Sequence, residues 1–186
     1  MLKQLRNAIF GERRQPVPAS IVVEPTQLVL TCADTTATIS TKVDGRRVTH
    51  PFTEWTGDIE CRIFDGPLKF QLFAESIAPR EDKLDLVRRI VTYEHSLKRD
   101  ALDAVFNFFD GLRRDHGVDF SNVIEHWSQD AVARLVHSPC CLIDDLEDNS
   151  ESHSRFIVSF STQLDEEHGI DVLVNHWRIV DCGCLV

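Results

Sequence analysis

Apolar and polar residues alternate on both sides of a short acidic segment near the C-terminus, and this pattern predicts a β-hairpin. If Leu164 faces Ile170 across a five-residue loop (165–169), the apolar side chains of both strands share one face. That face consists of Phe156, Val158, Phe160, Leu164, Ile170, Val172 and Val174. It needs a covering layer, so we expect a sheet with helices packed on it.

Strand and turn signals also fill the first part of the chain, from Ile21 to Ala74. The candidate strands are rich in β-branched residues or are separated by turn-forming residues such as Asp44-Gly45 and Asp65-Gly66-Pro67. They cover residues 27–32, 38–43, 46–50, 59–64 and 69–73. We expect them to form an antiparallel meander.

The hydrophobic period becomes helical in residues 78–127. Pro79, followed by Glu81 and Asp82, marks the start of one helix, because negative charge is favoured in a first turn. A second helix carries a wide apolar stripe from Leu97 to Leu112. Such a stripe implies burial against a sheet.

After a loop with a short helix in residues 119–127, Ser128 is a candidate N-cap for another short helix, 129–136. A strand over 138–143 precedes the hairpin, and a turn at Asn175-His176 leads to a last strand. The order predicts an α+β class: an N-terminal antiparallel meander, a central helical pair with short helices, and C-terminal antiparallel strands.

The chain has 186 residues, which fits one domain. In residues 1–18, Leu2, Leu5 and Ile9 recur at helical spacing beside basic residues, and prolines follow. We predict a short basic helix and a linker there, and a single α+β domain in residues 19–186.

Charge is distributed unevenly. Residues 1–99 carry a net charge of +2 and residues 100–186 carry −12, which gives the total of −10. The acidic half would repel nucleic acid and attract a basic protein. With no apolar run of about 18 residues and no secretory signal, we expect no integral membrane segment and a cytoplasmic location.

Common catalytic motifs, such as a phosphate-binding loop or a nucleophile elbow, are missing from the sequence. We therefore expect a binding module without enzymatic activity, metal or cofactor, which presents an acidic face to a basic partner. The expected partner-binding residues lie in an acidic loop and at the hairpin tip: Asp144, Asp145, Glu147, Asp148, Glu151, Asp165, Glu166, Glu167 and His168.

The alternative is a metal-dependent hydrolase centred on Asp165, Glu167 and His168, whose carboxylates and imidazole suit a divalent cation or general base catalysis. Against it, neighbouring side chains at an exposed hairpin tip diverge into water without a pocket. A second metal hypothesis places zinc between Cys140-Cys141 and the Cys182, Cys184 pair, if their segments are adjacent. Consecutive cysteines on a strand face opposite sides, which favours inert packed thiols. Trp55 and Trp127 could be exposed anchors for a partner, but we interpret them as core residues, the more common role of a tryptophan that enters a strand.

The chain resembles a family of bacterial domains of unknown function. The resemblance is carried by Trp55-Thr56-Gly57 with the strand after it, by the two-helix middle, and by a C-terminal Trp-Asp-x-Glu-His-Gly hairpin. In that hairpin Asp165, Glu167, His168 and Gly169 match, Leu164 replaces the tryptophan, and Val172 and Gly183 follow. The resemblance extends from about Pro51 to Gly183. It implies a small α+β domain with no established activity, similar in some members to immunity and interaction modules of bacterial toxin systems.

Overall fold

A computed structural model describes residues 17–34, 38–43, 46–74, 77–144 and 154–184. The expected N-terminal helix and most of the acidic loop lie outside the described residues. The strands are β1 (Ser20–Val23), β2 (Leu28–Asp34), β3 (Thr38–Val43), β4 (Arg46–Pro51), β5 (Thr53–Cys61), β6 (Gly66–Ala74), β7 (Val136–Asp144), β8 (Arg155–Thr162), β9 (Asp165–Asn175) and β10 (Arg178–Gly183). The helices are α1 (Glu81–Thr92), α2 (Lys98–Asp115), α3 (Gln129–Ala133) and a 3-10 helix (Arg62–Phe64).

Eight strands form one mixed sheet in the order β1-β2-β5-β6-β7-β8-β9-β10, and β3 and β4 pair with each other as a separate hairpin. The class is therefore α+β. The first half is an antiparallel meander, as the sequence predicts, except that β3 and β4 leave the main sheet.

One pairing was not expected: β6 and β7 are parallel, with Phe70 beside Cys141 and Leu72 beside Ile143. Parallel neighbours need a long crossover, and the segment carrying α1, α2 and α3 supplies it. The C-terminal strands are antiparallel among themselves and join the meander through this one parallel ladder.

The core lies on one face of the sheet, where Trp55, Phe70 and Phe156 are almost completely buried. The interpretation of Trp55 as a core residue is confirmed, whereas Trp127 is half-buried and packs against the edge of the core. Helices α1 and α2 contribute apolar side chains to the same cluster: Leu84, Leu86, Val87, Ile90, Ala101, Val105 and Phe109. None of the described helices has the length and apolarity that a membrane crossing demands.

Local signals fixed several boundaries. The Ser128 side chain accepts a hydrogen bond from the Ala131 amide, so the predicted N-cap is confirmed. The helix ends at Ala133, earlier than predicted, because Val136 already belongs to β7. The expected strand 59–64 ends at Cys61 in a 3-10 helix, and the expected short helix in 119–127 is instead a set of turns.

The C-terminal hairpin has its apolar face as predicted, with Phe156, Val158, Phe160, Ile170, Val172 and Val174 all buried. The five-residue loop is wrong. Thr162 pairs with Asp165, so the turn consists of Gln163 and Leu164, and the Thr162 hydroxyl accepts a 3.2 Å hydrogen bond from the Leu164 amide. A turn after Val174 is confirmed, but it lies one residue later than predicted: Asn175 still belongs to β9, and the turn consists of His176 and Trp177, which both have positive φ, as in the tight turns that join twisted strands.

Candidate functional site

The acidic segment is a bulge at the start of β9. Between the Thr162–Asp165 and Phe160–Ile170 pairs, β9 carries three more residues than β8. We call residues 165–169 the acidic bulge. Bulges of this kind bend a strand and redirect its side chains, and they are frequent beside functional sites.

Asp165 closes the acidic bulge. Its Oδ1 accepts a 3.0 Å hydrogen bond from the backbone amide of His168 and lies 3.2 Å from Nδ1 of the same residue. The Asp165 side chain is 31% exposed and that of His168 is 60% exposed. The carboxylate therefore fixes both the backbone turn and the orientation of the imidazole.

Gly169 ends the acidic bulge with a φ of +71°, and a Cβ at this position would lie 2.6 Å from the Phe160 carbonyl oxygen. Both the positive φ and the close approach require glycine.

The acidic bulge lines a cleft of about 580 Å³, which we call the polar cleft. Residues from the N-terminal end of β7 form the other side of the cleft. The residues that line the whole polar cleft are His137, Ser138, Cys140, Ser159, Phe160, Ser161, Thr162, Gln163, Asp165, Glu166, Glu167, His168 and Gly169. The expectation that this segment has no pocket is therefore wrong, because a two-residue turn and a bulge bring the carboxylates back beside β7.

The opposite wall is built by an irregularity in β7. His137 pairs with Ser161 and Cys140 pairs with Ser159, so Ser138 and Pro139 have no partner in the ladder with β8. Ser138 has a φ of +55°, which is uncommon for a residue other than glycine, and its hydroxyl lies 3.1 Å from Nδ1 of His137. Sequence analysis missed this wall, although a Ser-Pro pair at the start of a strand is a recognisable bulge signal.

Ser159 and Cys140 also line the polar cleft. Ser159 donates its hydroxyl to the carboxylate of Asp171, which is only 6% exposed, on the neighbouring strand β9. Burial raises the pKa of the Cys140 thiol, with Lys69 opposing and Glu54 adding to the shift. Cys140 is therefore protonated at neutral pH and a weak nucleophile.

A second, mainly apolar pocket of about 450 Å³ adjoins the polar cleft, and the two share His137, Ser138 and Phe160. We call it the apolar pocket. Its remaining lining residues are Phe64, Asp65, Gly66, Pro67, Lys98, Leu102, Ala133, Val136 and Pro139. Phe64 and Phe160 meet edge to face in its wall, with ring centroids 5.6 Å apart.

The two acidic segments predicted to bind a partner start near opposite ends of β7. Asp144 ends β7 opposite Phe73, whereas Asp165 lies beside the start of β7, eight residues and about 26 Å of strand away. Asp145, Glu147, Asp148 and Glu151 lie outside the described residues. Of the predicted set, the structure brings together Asp165, Glu166, Glu167 and His168.

Neither predicted metal site has a ligand set in the structure. Among the described residues, no three His, Cys, Asp or Glu side chains are grouped so that they could hold a metal ion. Strands β8 and β9 separate Cys140 and Cys141 on β7 from Cys182 on β10, so the adjacency that the zinc hypothesis requires is not met. Burial, with Asp181, Asp171 and Cys184 adding, raises the pKa of Cys182 to about 12.

A family model described as a domain of unknown function, DUF6985, matches residues 45–184, close to the range over which the sequence resemblance was drawn. No curated protein and no solved structure matches the chain. The match includes both sides of the polar cleft and most of the sheet, and the chain belongs to the DUF6985 family of domains of unknown function.

Proposed function

We propose that this chain is a protein-binding module that holds a basic segment of a partner protein in the polar cleft. The observation that supports this function is the composition of the cleft. Three consecutive acidic residues, Asp165, Glu166 and Glu167, line one side, the other walls offer hydroxyl, amide and imidazole groups, and none of the lining residues is Lys or Arg. A lysine or arginine side chain fits such a lining.

The carboxylates differ in their availability. Asp165 is engaged by His168, whereas Glu166 and Glu167 are exposed and take part in no ion pair within the described part of the chain. Ion pairs at such exposed positions contribute about 0.2–1 kcal/mol each, so they set partner choice and association rate more than affinity. The net charge of −12 in residues 100–186 adds attraction at longer range.

A basic toxin is one partner with this chemistry, and an immunity role in a bacterial cytoplasm agrees with the resemblance described above. The acidic loop, which contains Asp145, Glu147, Asp148 and Glu151, would add a second acidic contact. The proposed function depends on the polar cleft alone and not on the acidic loop.

The test is a salt titration of peptide binding. A fluorescein-labelled octapeptide with two adjacent lysines in a Gly/Ser background is titrated with the protein at 20 mM and 500 mM NaCl, and fluorescence anisotropy is recorded. We expect binding at low salt that weakens at least tenfold at high salt.

A pair of double variants locates the site. We expect Glu166→Gln/Glu167→Gln to weaken binding at low salt by about fivefold to tenfold. Glu60→Gln/Glu125→Gln makes the same charge change at two exposed glutamates that do not line the cleft and should change binding less than twofold. Equal losses of affinity for the lysine peptide in both double variants would overturn the proposed function. The absence of any binding of this peptide to the wild-type protein would also overturn it.

A further inference from the structure

The apolar pocket has no role in binding a positive charge, yet it opens directly beside the polar cleft. Leu102, Ala133, Val136 and Pro139 in its lining are only half-buried, while Phe64 and Phe160 beneath them belong to the core. A mainly apolar cavity of about 450 Å³ with an aromatic wall has the size and character to bind a large apolar side chain.

Only a narrow strip divides the two cavities. His137 and Ser138 line both of them, and two residues span at most about 7 Å. In an extended peptide, side chains two residues apart are separated by about the same distance. Neighbouring positions of one peptide can therefore reach both cavities.

The dividing strip also has an unusual backbone. Ser138 and Pro139 are passed over in the pairing of β7 with β8, and the parallel pairing with β6 begins only at Cys140. Ser138 and Pro139 therefore lie outside both ladders at the place where a ligand would cross the strip. Bulges that interrupt pairing are frequent next to binding sites.

Charge around the two cavities is asymmetric. The polar cleft is lined by three acidic residues and by no Lys or Arg, whereas in the lining of the apolar pocket Lys98 Nζ lies 4.0 Å from Oδ2 of Asp65, so that the two charges offset each other. A ligand with a positive group at one end is therefore attracted to the polar cleft and not to the opposite end. This complementarity selects a ligand with an apolar part and a basic part side by side.

We infer that the two cavities form one composite site for an extended segment of a partner protein in which a large apolar side chain stands within two residues of a lysine or arginine. The apolar side chain enters the apolar pocket, the basic side chain enters the polar cleft, and the segment crosses the strip at Ser138. This inference rests on the proposed function and adds the apolar half of the recognition element.

The experiment extends the peptide titration with four labelled octapeptides in the same Gly/Ser background. One carries two lysines, one carries a phenylalanine, one carries the phenylalanine two residues from the lysine pair, and the last has glutamates in place of those lysines. We expect the combined peptide to bind wild-type protein at least tenfold more tightly than either single-feature peptide. The glutamate peptide should bind at least tenfold more weakly than the combined one.

Matched variants identify the pocket. Ala133→Gln puts a longer polar side chain into the apolar pocket, and Ala104→Gln makes the same change at a half-buried helical alanine outside both cavities. We expect Ala133→Gln to lower the affinity for the combined peptide about tenfold without changing that for the lysine peptide. Ala104→Gln should leave the affinities for the combined peptide and for the lysine peptide within twofold of the wild-type values. Circular dichroism checks that each variant is folded.

The two proposals fail in different ways. If the lysine peptide binds and depends on Glu166 and Glu167, but phenylalanine adds nothing, the composite site is overturned and the proposed function stands. If the combined peptide gains tenfold but Ala133→Gln has no effect, phenylalanine binds elsewhere and the composite site is again overturned. Failure of all four peptides overturns both.

Discussion

Oδ1 of Asp165 lies 3.0 Å from the backbone nitrogen of His168 and 3.2 Å from its Nδ1. One carboxylate oxygen thus holds the acidic bulge closed and positions the imidazole that lines the cleft. The shape of the polar cleft depends on this contact, because the bulge is the only part of β9 that leaves its ladder with β8 in the described residues.

Replacement of Asp165 tests whether its side-chain oxygen holds the acidic bulge closed. Asp165→Asn keeps an acceptor oxygen for the His168 amide, whereas Asp165→Ala removes it. A hydrogen bond of this kind contributes about 0.5–1.5 kcal/mol, and 1 kcal/mol corresponds to about 2–4 °C in a domain of this size. We expect thermal unfolding followed by circular dichroism to show a loss of about 1–6 °C for Asp165→Ala and less than half of that for Asp165→Asn. Equal losses would show that the oxygen does not hold the bulge.

A glycine pair provides a test of the β2–β5 contact. A Cβ on Gly57 would lie 2.4 Å from the Val29 carbonyl oxygen, whereas a Cβ on Gly66 would have no atom within 4 Å. Gly57→Ala must push two paired strands apart, which we expect to cost about 1–3 kcal/mol, as overpacking does. Gly66→Ala should change stability by less than about 1 kcal/mol, with a stabilising sign. Urea unfolding of both variants measures the difference, and a tolerated Gly57→Ala would contradict the close approach.

Local features of the sequence were sufficient for much of the fold. Alternation predicted the buried face of β8 and β9, and the Ser128 cap fixed the start of α3. Each of these depends on the chemistry of a few consecutive residues, so it could be predicted without knowledge of the rest of the chain.

The site could not be predicted in the same way, because its geometry depends on residues far apart in sequence. The Gln163 amide donates a 3.3 Å hydrogen bond to the Leu135 carbonyl, a contact that ties the hairpin turn to the segment before β7. The antiparallel pairings of β7 with β8 and of β8 with β9 then place the Ser138 bulge beside the acidic bulge. Neither contact leaves a signal in either segment alone.

The buried indole of Trp55 predicts a specific sensitivity at Thr53. The Trp55 Nε1–H donates a 3.0 Å hydrogen bond to the Thr53 hydroxyl, and both residues are buried. Thr53→Val keeps the shape but removes the acceptor, so the cost of an unsatisfied buried donor, about 1–3 kcal/mol, applies. Thr53→Ser keeps the hydroxyl and loses one methyl group, which costs about 0.8 kcal/mol. The free energy of unfolding in urea should therefore be lower for Thr53→Val than for Thr53→Ser. The reverse order would show that the methyl group of Thr53 contributes more than its hydroxyl.

Asp110 predicts a pH dependence of stability. The hydrogen bond from Arg113, together with Arg114 and the Trp127 indole, lowers the pKa of the Asp110 carboxyl in the folded protein. Trp127 Nε1 lies 2.9 Å from Asp110 Oδ1, and the Arg113 guanidinium lies 5.4 Å from the centre of the Trp127 ring. The cluster holds the loop after α2 against that helix.

A carboxyl whose folded pKa is lowered stabilises the protein above its unfolded pKa of about 3.9 and loses this contribution as the pH falls through the folded value. Wild-type protein should therefore be more stable than Asp110→Asn at pH 7, and the difference should shrink below about pH 4. Urea unfolding of both proteins at pH 7, 5, 4 and 3 measures this difference in the free energy of unfolding. Asp115→Asn removes the same charge at the end of α2 outside this cluster and should show no such convergence. A difference between wild type and Asp110→Asn that stays constant down to pH 3 would mean that the ionised carboxylate is not what holds Trp127.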